Sequence, residues 1–297
     1  MKLVFLGTTS MIPTKDRNHN AILVSYRNEN ILIDCGEGTQ RQMRIYGFPV
    51  PRLTRILITH WHGDHFFGLP GIIDNLARHH FTGTLYIYGP RGTRKKFEKM
   101  VDAFNLKNKL NIKFIEVKRD GVFFEDDRFK LEAVYLKHTT PCIGYKFIEK
   151  DTRKINMDYL KKFGLKEGPI MRKLQEGKDI TFANKKILAK NATFIKKGKI
   201  VSFLLDSVIC SACDKLAKGS DILVSESTFC EDKKDKAREY LHLTSRQAAQ
   251  IAKKAKVKTL ILTHFSQRYS DTMCFEEEAK KVFPKTILAK DFFDITI

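Results

Sequence analysis

The stretch His60-Trp61-His62-Gly63-Asp64-His65 largely decides how this 297-residue chain is interpreted. It follows an apolar run at 55–59 that predicts a β-strand. Alternate residues of an extended segment point the same way, so His60 and His62 can bind one ion from one face. Gly63 permits a sharp turn, after which Asp64 and His65 begin a helix and face a second ion. Imidazole and carboxylate ligands without cysteine predict an open site for Zn²⁺ or a similar divalent ion.

Three further candidate ligands lie directly beyond other predicted strands. His138 follows the run 129–137, Asp206 follows 200–205 and His264 follows 259–263. Taken singly, such residues are more often structural histidines or helix-capping aspartates. As a set they predict one site, because α/β folds place ligands at the ends of strands. A carboxylate at Asp206 is suited to bridging two ions.

The periodicity of apolar residues predicts an α/β protein. Strands are predicted at 2–6, 21–26, 30–34, 55–59, 84–88, 112–117, 129–136, 200–205, 221–225 and 258–263, and helices at 39–46, 69–79, 91–104, 211–218, 244–255 and 275–282. A strand-rich first third followed by βα alternation favours two sheets packed face to face with helices outside, an αββα sandwich. Neither an internal repeat nor a low-complexity linker divides the chain, which predicts one domain over 1–297.

The charge of the chain is strongly asymmetric. It has 54 Lys and Arg against 34 Asp and Glu, a net charge of +20. This excess predicts a polyanionic partner, nucleic acid first and an anionic membrane surface second, although a lysine-rich proteome would produce it too. Residues 146–199 hold 16 basic and 6 acidic residues, which is half of the excess. Their apolar residues look too sparse for a core, so we predict an inserted flexible basic arm for phosphate contacts. A solvated hairpin without a partner is the alternative.

Other features argue against secretion and membrane insertion. No run approaches about 18 uninterrupted apolar residues, so no membrane is expected as a partner. The apolar start at 1–6 breaks at Gly7, unlike a signal peptide. The six cysteines are scattered, unlike a disulfide framework. Cys210-Ser-Ala-Cys213 lacks the second ligand pair of a zinc site, and we expect two small buried side chains at a helix start. These features predict a cytoplasmic protein.

The metal motif resembles the metallo-β-lactamase superfamily, whose members carry His-x-His-x-Asp-His with distal His, Asp and His ligands. More narrowly, the chain is similar to the ribonuclease Z family, and the similarity extends from residue 1 to about 270. Five local matches carry it: Pro13-Thr-Lys-Asp-Arg-Asn18, Asp34-Cys-Gly-Glu-Gly-Thr-Gln40, Gly168-Pro169 with Lys173-Leu174 and Gly177, Glu226-Ser-Thr-Phe229 with His242, and His264-Phe-Ser-Gln-Arg-Tyr269. Trp61, Ser207 and Leu243 depart from the usual pattern without removing a ligand, although Leu243 could alter the orientation of His242.

The resemblance implies a metal-dependent endoribonuclease that removes the 3′ trailer from precursor tRNA and acts as a homodimer. It implies two Zn²⁺ per subunit, although Mn²⁺ or Fe²⁺ accept the same ligands. One ion would use His60, His62 and His138, the other Asp64, His65 and His264, with Asp206 between them. Asp64 would also be the general base, and His242, oriented by Glu226, would protonate the leaving 3′ oxygen. Otherwise Glu226 and His242 are a polar pair beside a helix start.

The resemblance also points to residues that contact the substrate. Gly168 and Pro169 would belong to the arm that binds tRNA, and Ser266 and Arg268 would hold the scissile phosphate. Lys15, Arg17 and Asn18 suit either phosphate contact or simple loop solubility. Asp34 is expected either to orient a ligand histidine or to cap the turn at Gly36. The alternatives are a small-molecule phosphodiesterase or other hydrolase on the same fold, which needs no arm, and a non-catalytic RNA-binding protein.

Overall fold

The structure is a computed structural model that describes residues 1–104 and 110–297. Its strands are β1 (Lys2–Gly7), β2 (Ala21–Tyr26), β3 (Glu29–Ile33), β4 (Arg55–Leu57), β5 (Thr84–Gly89), β6 (Asn111–Glu116), β7 (Gly121–Glu125), β8 (Phe129–Leu136), β9 (Cys142–Glu149), β10 (Thr152–Ile155), β11 (Ile180–Phe182), β12 (Lys185–Ile187), β13 (Thr193–Lys196), β14 (Ile200–Leu204), β15 (Ile222–Glu226), β16 (Thr259–Thr263), β17 (Thr286–Leu288) and β18 (Asp294–Thr296). Its helices are α1 (Thr39–Tyr46), α2 (Gly63–Phe66), α3 (Leu69–Arg78), α4 (Thr93–Ala103), α5 (Met157–Lys161), α6 (Met171–Gln175), α7 (Ala189–Ala192), α8 (Ser211–Ala217), α9 (Lys234–Glu239), α10 (Ser245–Ala255) and α11 (Met273–Val282), with 3₁₀ turns at Val50–Arg52 and Glu231–Lys233.

Two seven-stranded sheets contain most of these strands. The first has the order β18-β1-β2-β3-β4-β5-β6, and the second the order β17-β16-β15-β14-β9-β8-β7. In the first sheet β1, β2, β3 and β18 pair antiparallel, and β3, β4, β5 and β6 pair parallel. In the second sheet β14, β15, β16 and β17 pair parallel. Because these strands are parallel, the residues that follow them lie at the same edge of the sheet.

The central strands are buried on both faces, as expected for sheets covered by helices on one side and a second sheet on the other. In β1, Val4 and Leu6 belong to a core cluster with Leu69, Ile72 and Leu76 of α3. A second cluster joins β14 to β16 with α8, α10 and α11 through Leu204, Leu260, Leu216, Ala248 and Phe275. The other faces meet across the layers, for example where the Tyr145 hydroxyl donates to the Ile58 carbonyl at 2.8 Å. The predicted αββα sandwich is confirmed.

The described chain divides into two compact units. The first comprises residues 1–124, 131–147 and 200–297, and the second residues 125–130 and 148–199. The second unit contains the two-stranded sheets β10-β13 and β11-β12 and the helices α5, α6 and α7. It has its own buried cluster, in which Leu160, Leu174 and Ile187 are fully buried. The expectation that this segment lacks enough apolar residues for a core was wrong, because short helices and hairpins gather widely spaced side chains.

The cysteines and eight strands also differ from expectation. Cys230 and Cys274 form a disulfide across 44 residues, whereas scattered cysteines predicted none. The strands β7, β9, β10, β11, β12, β13, β17 and β18 were not predicted. Among the described residues, no helix combines the length and the apolar character needed to span a membrane.

Candidate active site

The candidate ligands converge because their strands end at neighbouring positions. In the parallel register, Leu204 pairs with Ser225, and Glu226 pairs with Thr263. Asp206, Glu226 and His264 therefore reach the same edge of the second sheet. His138 follows β8 of this sheet, whereas His60 follows β4 of the first sheet. All these residues lie in the first compact unit.

The first ligand cluster consists of His60, His62, His138 and Asp206. His62 Nδ1 lies 3.0 Å from His60 Nε2 and 3.2 Å from His138 Nε2. Asp206 Oδ2 lies 3.5 Å from His60 Nε2 and 3.8 Å from His138 Nε2. Three imidazole nitrogens and one carboxylate oxygen thus face a common centre.

The second cluster consists of Asp64, His65, Asp206 and His264. The Nε2 atoms of His65 and His264 are 3.2 Å apart, and Asp64 Oδ2 lies 3.3 Å from the former and 3.6 Å from the latter. Asp206 Oδ1 is 3.2 Å from His264 Nε2, and Asp206 Oδ2 is 3.4 Å from His65 Nε2. Asp206 is the residue common to both clusters.

The outward nitrogens of the histidines contact polar partners that orient the rings. His65 Nδ1 donates to Asp34 Oδ2 at 2.6 Å, which is the contact expected of a carboxylate that orients this ring. His60 Nδ1 donates to the Thr59 hydroxyl at 3.0 Å, and this hydroxyl itself donates to Asp34. Both rings therefore direct Nε2 at the centre, and Nε2 is the nitrogen left to bind a metal.

The remaining rings are held in the same way. His138 Nδ1 donates to the Leu241 carbonyl at 3.1 Å. His264 Nδ1 donates at 3.0 Å to the Thr228 hydroxyl, which donates in turn to Glu226. His62 is reversed, because its Nδ1 faces the cluster and its Nε2 lies 3.3 Å from the Thr139 hydroxyl.

The site fits a cation. Asp206 Oδ1 is buried without a hydrogen-bond partner, and such an atom is costly unless a charged group compensates it. Burial lowers the pKa of His60 well below its usual value, which keeps this ring neutral. Burial also acts to lower the pKa of His65, but the charges of Asp206, Asp64 and Asp34 outweigh it and raise that pKa. The pocket therefore attracts positive charge, and these clusters support a metal cofactor.

The backbone is strained at three residues whose side chains belong to the site. Asp34, Asp206 and His264 have φ angles of 57°, 28° and 61°, in the left-handed region that non-glycine residues rarely adopt. Each directly follows, or lies two residues beyond, a buried strand. Such conformations persist where the surrounding structure imposes them, and they concentrate at functional sites.

A Glu226–His242 pair lies beside the clusters. His242 Nδ1 is 3.1 Å from Glu226 Oε1 and 4.0 Å from Asp206 Oδ2. Glu226 is fully buried, and its charge raises the pKa of His242 to about 9 although burial acts in the opposite direction. Leu243 packs into the core without turning His242 away from Glu226. A protonated imidazole next to a metal site is a ready proton donor.

The residues that were expected to contact the substrate lie in three separate parts of the structure. Ser266 and Arg268 line the cavity of about 580 Å³ that also exposes His62, Asp64 and His242. Lys15, Arg17 and Asn18 line a different cavity of about 870 Å³. Here Arg17 Nη2 donates to the Tyr269 carbonyl at 2.6 Å, and Asn18 Nδ2 to the Glu37 carbonyl at 2.8 Å, while Lys15 remains exposed. Gly168 and Pro169 are exposed residues of the second unit.

Two threonines of the site were missed from the sequence. Thr59 and Thr228 each accept a hydrogen bond from the outward nitrogen of a candidate ligand histidine and donate to a carboxylate. Thr59 directly precedes His60, and Thr228 lies within the quoted Glu226–Phe229 motif. Their position next to recognised residues is the signal that could have identified them.

Comparison with known proteins agrees with this geometry. A family model described as anti-Pycsar protein Apyc1 matches residues 1–139. Ribonuclease Z from Anoxybacillus flavithermus is 39% identical over 305 residues, covering 100% of this chain and 97% of that protein. The crystal structure of human tRNase Z, short form, has a TM-score of 0.74 at 28% identity and covers 100% of this chain and 99% of the other. The metallo-β-lactamase fold protein YhfI from Bacillus subtilis has a TM-score of 0.73 at 20% identity, covering 99% and 98%.

The two stacked sheets and the paired His/Asp clusters define a metal-binding protein of the metallo-β-lactamase fold. Full-length identity to curated relatives narrows the class further. The chain belongs to the ribonuclease Z family.

Proposed function

We propose that this chain is a metal-dependent endoribonuclease that removes the 3′ trailer from precursor tRNA and leaves a 3′-hydroxyl on the tRNA. The observation that carries the proposal is Asp206, which is shared by two ligand clusters beside the Glu226–His242 pair. A phosphodiester hydrolase needs charge stabilisation on the phosphate and a proton for the leaving oxygen, and this arrangement supplies groups for both. The substrate, precursor tRNA, is inferred from membership of the ribonuclease Z family.

The metal cofactor is proposed to be two Zn²⁺ ions per subunit, with Mn²⁺ or Fe²⁺ as acceptable replacements. His60, His62 and His138 would hold one ion, and Asp64, His65 and His264 the other, with Asp206 shared. When bound, such ions activate water and neutralise charge on the attacked phosphate. Asp64 is proposed to accept the proton of the attacking water, because its carboxylate lines the catalytic cavity.

The leaving group is proposed to be protonated by His242. Glu226 accepts the Nδ1 proton of His242 and leaves Nε2 to donate to the departing 3′ oxygen. Ser266 and Arg268, which line the same cavity, are proposed to bind the scissile phosphate. Lys15, Arg17 and Asn18 are proposed to contact the substrate from the adjacent loop, with Lys15 the most exposed of the three.

The basic second unit is proposed to be an arm that binds tRNA phosphates, with Gly168 and Pro169 in its exposed part. The excess of ten basic residues over 146–199, most of which belong to this unit, supports this role. The family resemblance also supports a cytoplasmic homodimer, in which the arm of one subunit reaches the tRNA cut by the other.

The deciding experiment incubates the full chain with a 3′-extended precursor tRNA, with and without a chelator. We expect one cut near the discriminator base that the chelator abolishes and added Zn²⁺ restores. A parallel assay on bis(p-nitrophenyl) phosphate separates the rival small-molecule phosphodiesterase. Hydrolysis of this ester without any cut in precursor tRNA would refute the proposal.

The role of the arm is tested by charge rather than by deletion, because the second unit has a core that deletion would disturb. Lys162, Lys166 and Lys173 are exposed and are replaced together by Ala. The matched control replaces three exposed lysines of the first unit, Lys253, Lys281 and Lys285. We expect only the arm variant to lose kcat/KM on precursor tRNA and to show a reduced salt dependence, with the small ester unaffected. Equal losses in both variants would contradict an arm-specific contact.

A further inference from the structure

A pair of cysteines lies at the start of α8, outside the two candidate metal clusters. Cys210 Sγ and Cys213 Sγ are 3.6 Å apart. Cys210 is partly exposed, whereas Cys213, Cys35 and Cys142 are buried. All six cysteines lie in the described ranges, and the other two form the Cys230–Cys274 disulfide. Cys210 is therefore the accessible free thiol, and its nearest sulfur neighbour is a second thiol.

The surroundings make the two thiols unequal. Hydrogen bonds from Cys213, from the amides of Cys213 and Ala212, and from the Ser207 hydroxyl lower the pKa of Cys210 to about 5. The hydrogen bond to Cys210 and burial raise the pKa of Cys213. An exposed thiolate attacks external disulfides, and a buried thiol in contact with it resolves the product.

We propose that Cys210 and Cys213 form a redox-active dithiol that exchanges with small-molecule disulfides such as oxidised glutathione. The Cys210 thiolate attacks one sulfur of the glutathione disulfide, breaks its S–S bond and releases one glutathione thiolate. Cys213 then loses its proton to solvent and attacks Cys210 Sγ, which releases the second glutathione. Two electrons pass from the protein to glutathione disulfide, and the sulfurs close from 3.6 Å to about 2.05 Å.

Ser207 connects this pair to the catalytic residues. Its Oγ lies 4.0 Å from Cys210 Sγ and 3.7 Å from Cys213 Sγ. Its N–H donates to Glu226 Oε1 at 2.8 Å, and it directly follows Asp206. Closure of the sulfurs changes the contacts of Ser207 and weakens this hydrogen bond to a charged group. This coupling rests on the proposed function, and we expect oxidised protein to cleave precursor tRNA about tenfold more slowly.

The exchange is tested on the metal-loaded full chain, incubated with oxidised glutathione and mapped by peptide mass spectrometry. We expect the wild type to form the Cys210–Cys213 disulfide and retain no glutathione. Cys213→Ser, which cannot resolve the intermediate, is expected to retain one glutathione on Cys210, and Cys210→Ser to take up none. A wild type whose two thiols stay free, or uptake by Cys213 in the Cys210→Ser variant, would overturn the proposal.

The coupling is tested by cleavage rates of the same samples. We expect the rate of the wild type to fall about tenfold on oxidation and to return with a thiol reductant, whereas Cys210→Ser is insensitive to the treatment. Equal rates in the oxidised and reduced wild type would overturn the coupling. A reduced wild type that does not cleave precursor tRNA at all refutes the proposed function instead. The peptide mass spectrometry tests the thiol exchange independently of cleavage.

Discussion

Asp34→Asn is the change that tests most directly how the metal site is oriented. Asp34 is fully buried and accepts from His65 Nδ1 at 2.6 Å, from the Thr59 amide at 2.7 Å and from the Thr59 hydroxyl at 2.8 Å. Asparagine has the same shape but only one acceptor oxygen. If that oxygen still accepts the hydrogen bond from the Thr59 amide, the NH₂ group of the asparagine faces the N–H of His65 Nδ1. Two hydrogen-bond donors then face each other without an acceptor.

This conflict favours the His65 tautomer that carries its proton on Nε2, and this tautomer cannot bind a metal. Loss of a partner behind a ligand histidine typically costs 10–100-fold in metal affinity, which corresponds to about 1.4–2.7 kcal/mol. We therefore expect Asp34→Asn to release metal at a chelator concentration about 10- to 100-fold lower than the wild type. Cleavage of precursor tRNA should fall in parallel and recover partly with excess Zn²⁺.

The assay is metal content by mass spectrometry after dialysis against graded chelator, with thermal unfolding as the check on folding. The matched control is Asp291→Asn. Asp291 also accepts several hydrogen bonds, from the Thr8 hydroxyl at 2.8 Å, the Asn18 amide at 2.7 Å and Gln42 Nε2 at 3.0 Å, none of them a ligand histidine. A folded Asp34→Asn protein that retains metal as firmly as the wild type would refute this account of the orienting carboxylate.

Three further predictions concern pH and covalent structure. Glu226→Gln should lower kcat on precursor tRNA by about 10²-fold or more. It should also shift the alkaline fall of kcat from near pH 9 in the wild type to lower pH, because the Glu226 charge keeps the pKa of His242 at about 9 against the effect of burial. Burial raises the pKa of Asp291 from 3.8 to about 6, so its contribution to stability is full below the lower value and is lost as pH rises through the higher one. Denaturant unfolding from about pH 4 to about pH 8 should show the wild type losing up to about 3 kcal/mol relative to Asp291→Asn. Replacing Cys230 and Cys274 together by Ser should reduce the free energy of unfolding by roughly 2–4 kcal/mol, because a closed loop of 44 residues is released in the unfolded chain.

Each of these has a clear contrary result. An unchanged alkaline limb in Glu226→Gln would separate His242 from the proton transfer. Parallel stability curves for the wild type and Asp291→Asn would show that burial does not shift this carboxyl group. An intact protein with six reactive thiols after denaturation without reductant would contradict the Cys230–Cys274 bond.

Much of the candidate site could be predicted because its ligands follow a local rule. His60 and His62 alternate along an extended segment, and His138, Asp206 and His264 each follow an apolar strand run. Parallel strands bring such positions to one edge of a sheet, so the order of residues along the chain predicted that these side chains lie close together. The threonines behind the histidines were not predicted, because Thr59 and Thr228 acquire their roles only through hydrogen bonds to rings and carboxylates.

Several of the elements that were missed depend on distant partners. The strand β18 has three residues and exists through pairing with β1, almost the whole chain away. The second unit was expected to lack a core, yet Leu160, Leu174 and Ile187 meet in one, because burial depends on the sum of separated side chains. The Cys230–Cys274 pairing likewise depends on how α11 packs near the segment after β15.

The sequence by itself determined the αββα class, the ligand types and the concentration of positive charge, because periodicity, side-chain chemistry and composition are local properties. Only the tertiary structure decided which atoms face the metal centre, since the free nitrogen of each histidine depends on the partner of the other nitrogen. It also decided that Arg17 and Asn18 donate to the backbone carbonyls of Tyr269 and Glu37, and that Cys210 lies in contact with Cys213 beside Ser207. These contacts join groups that are far apart in the chain, or they depend on local backbone angles. A pattern of residue types specifies neither.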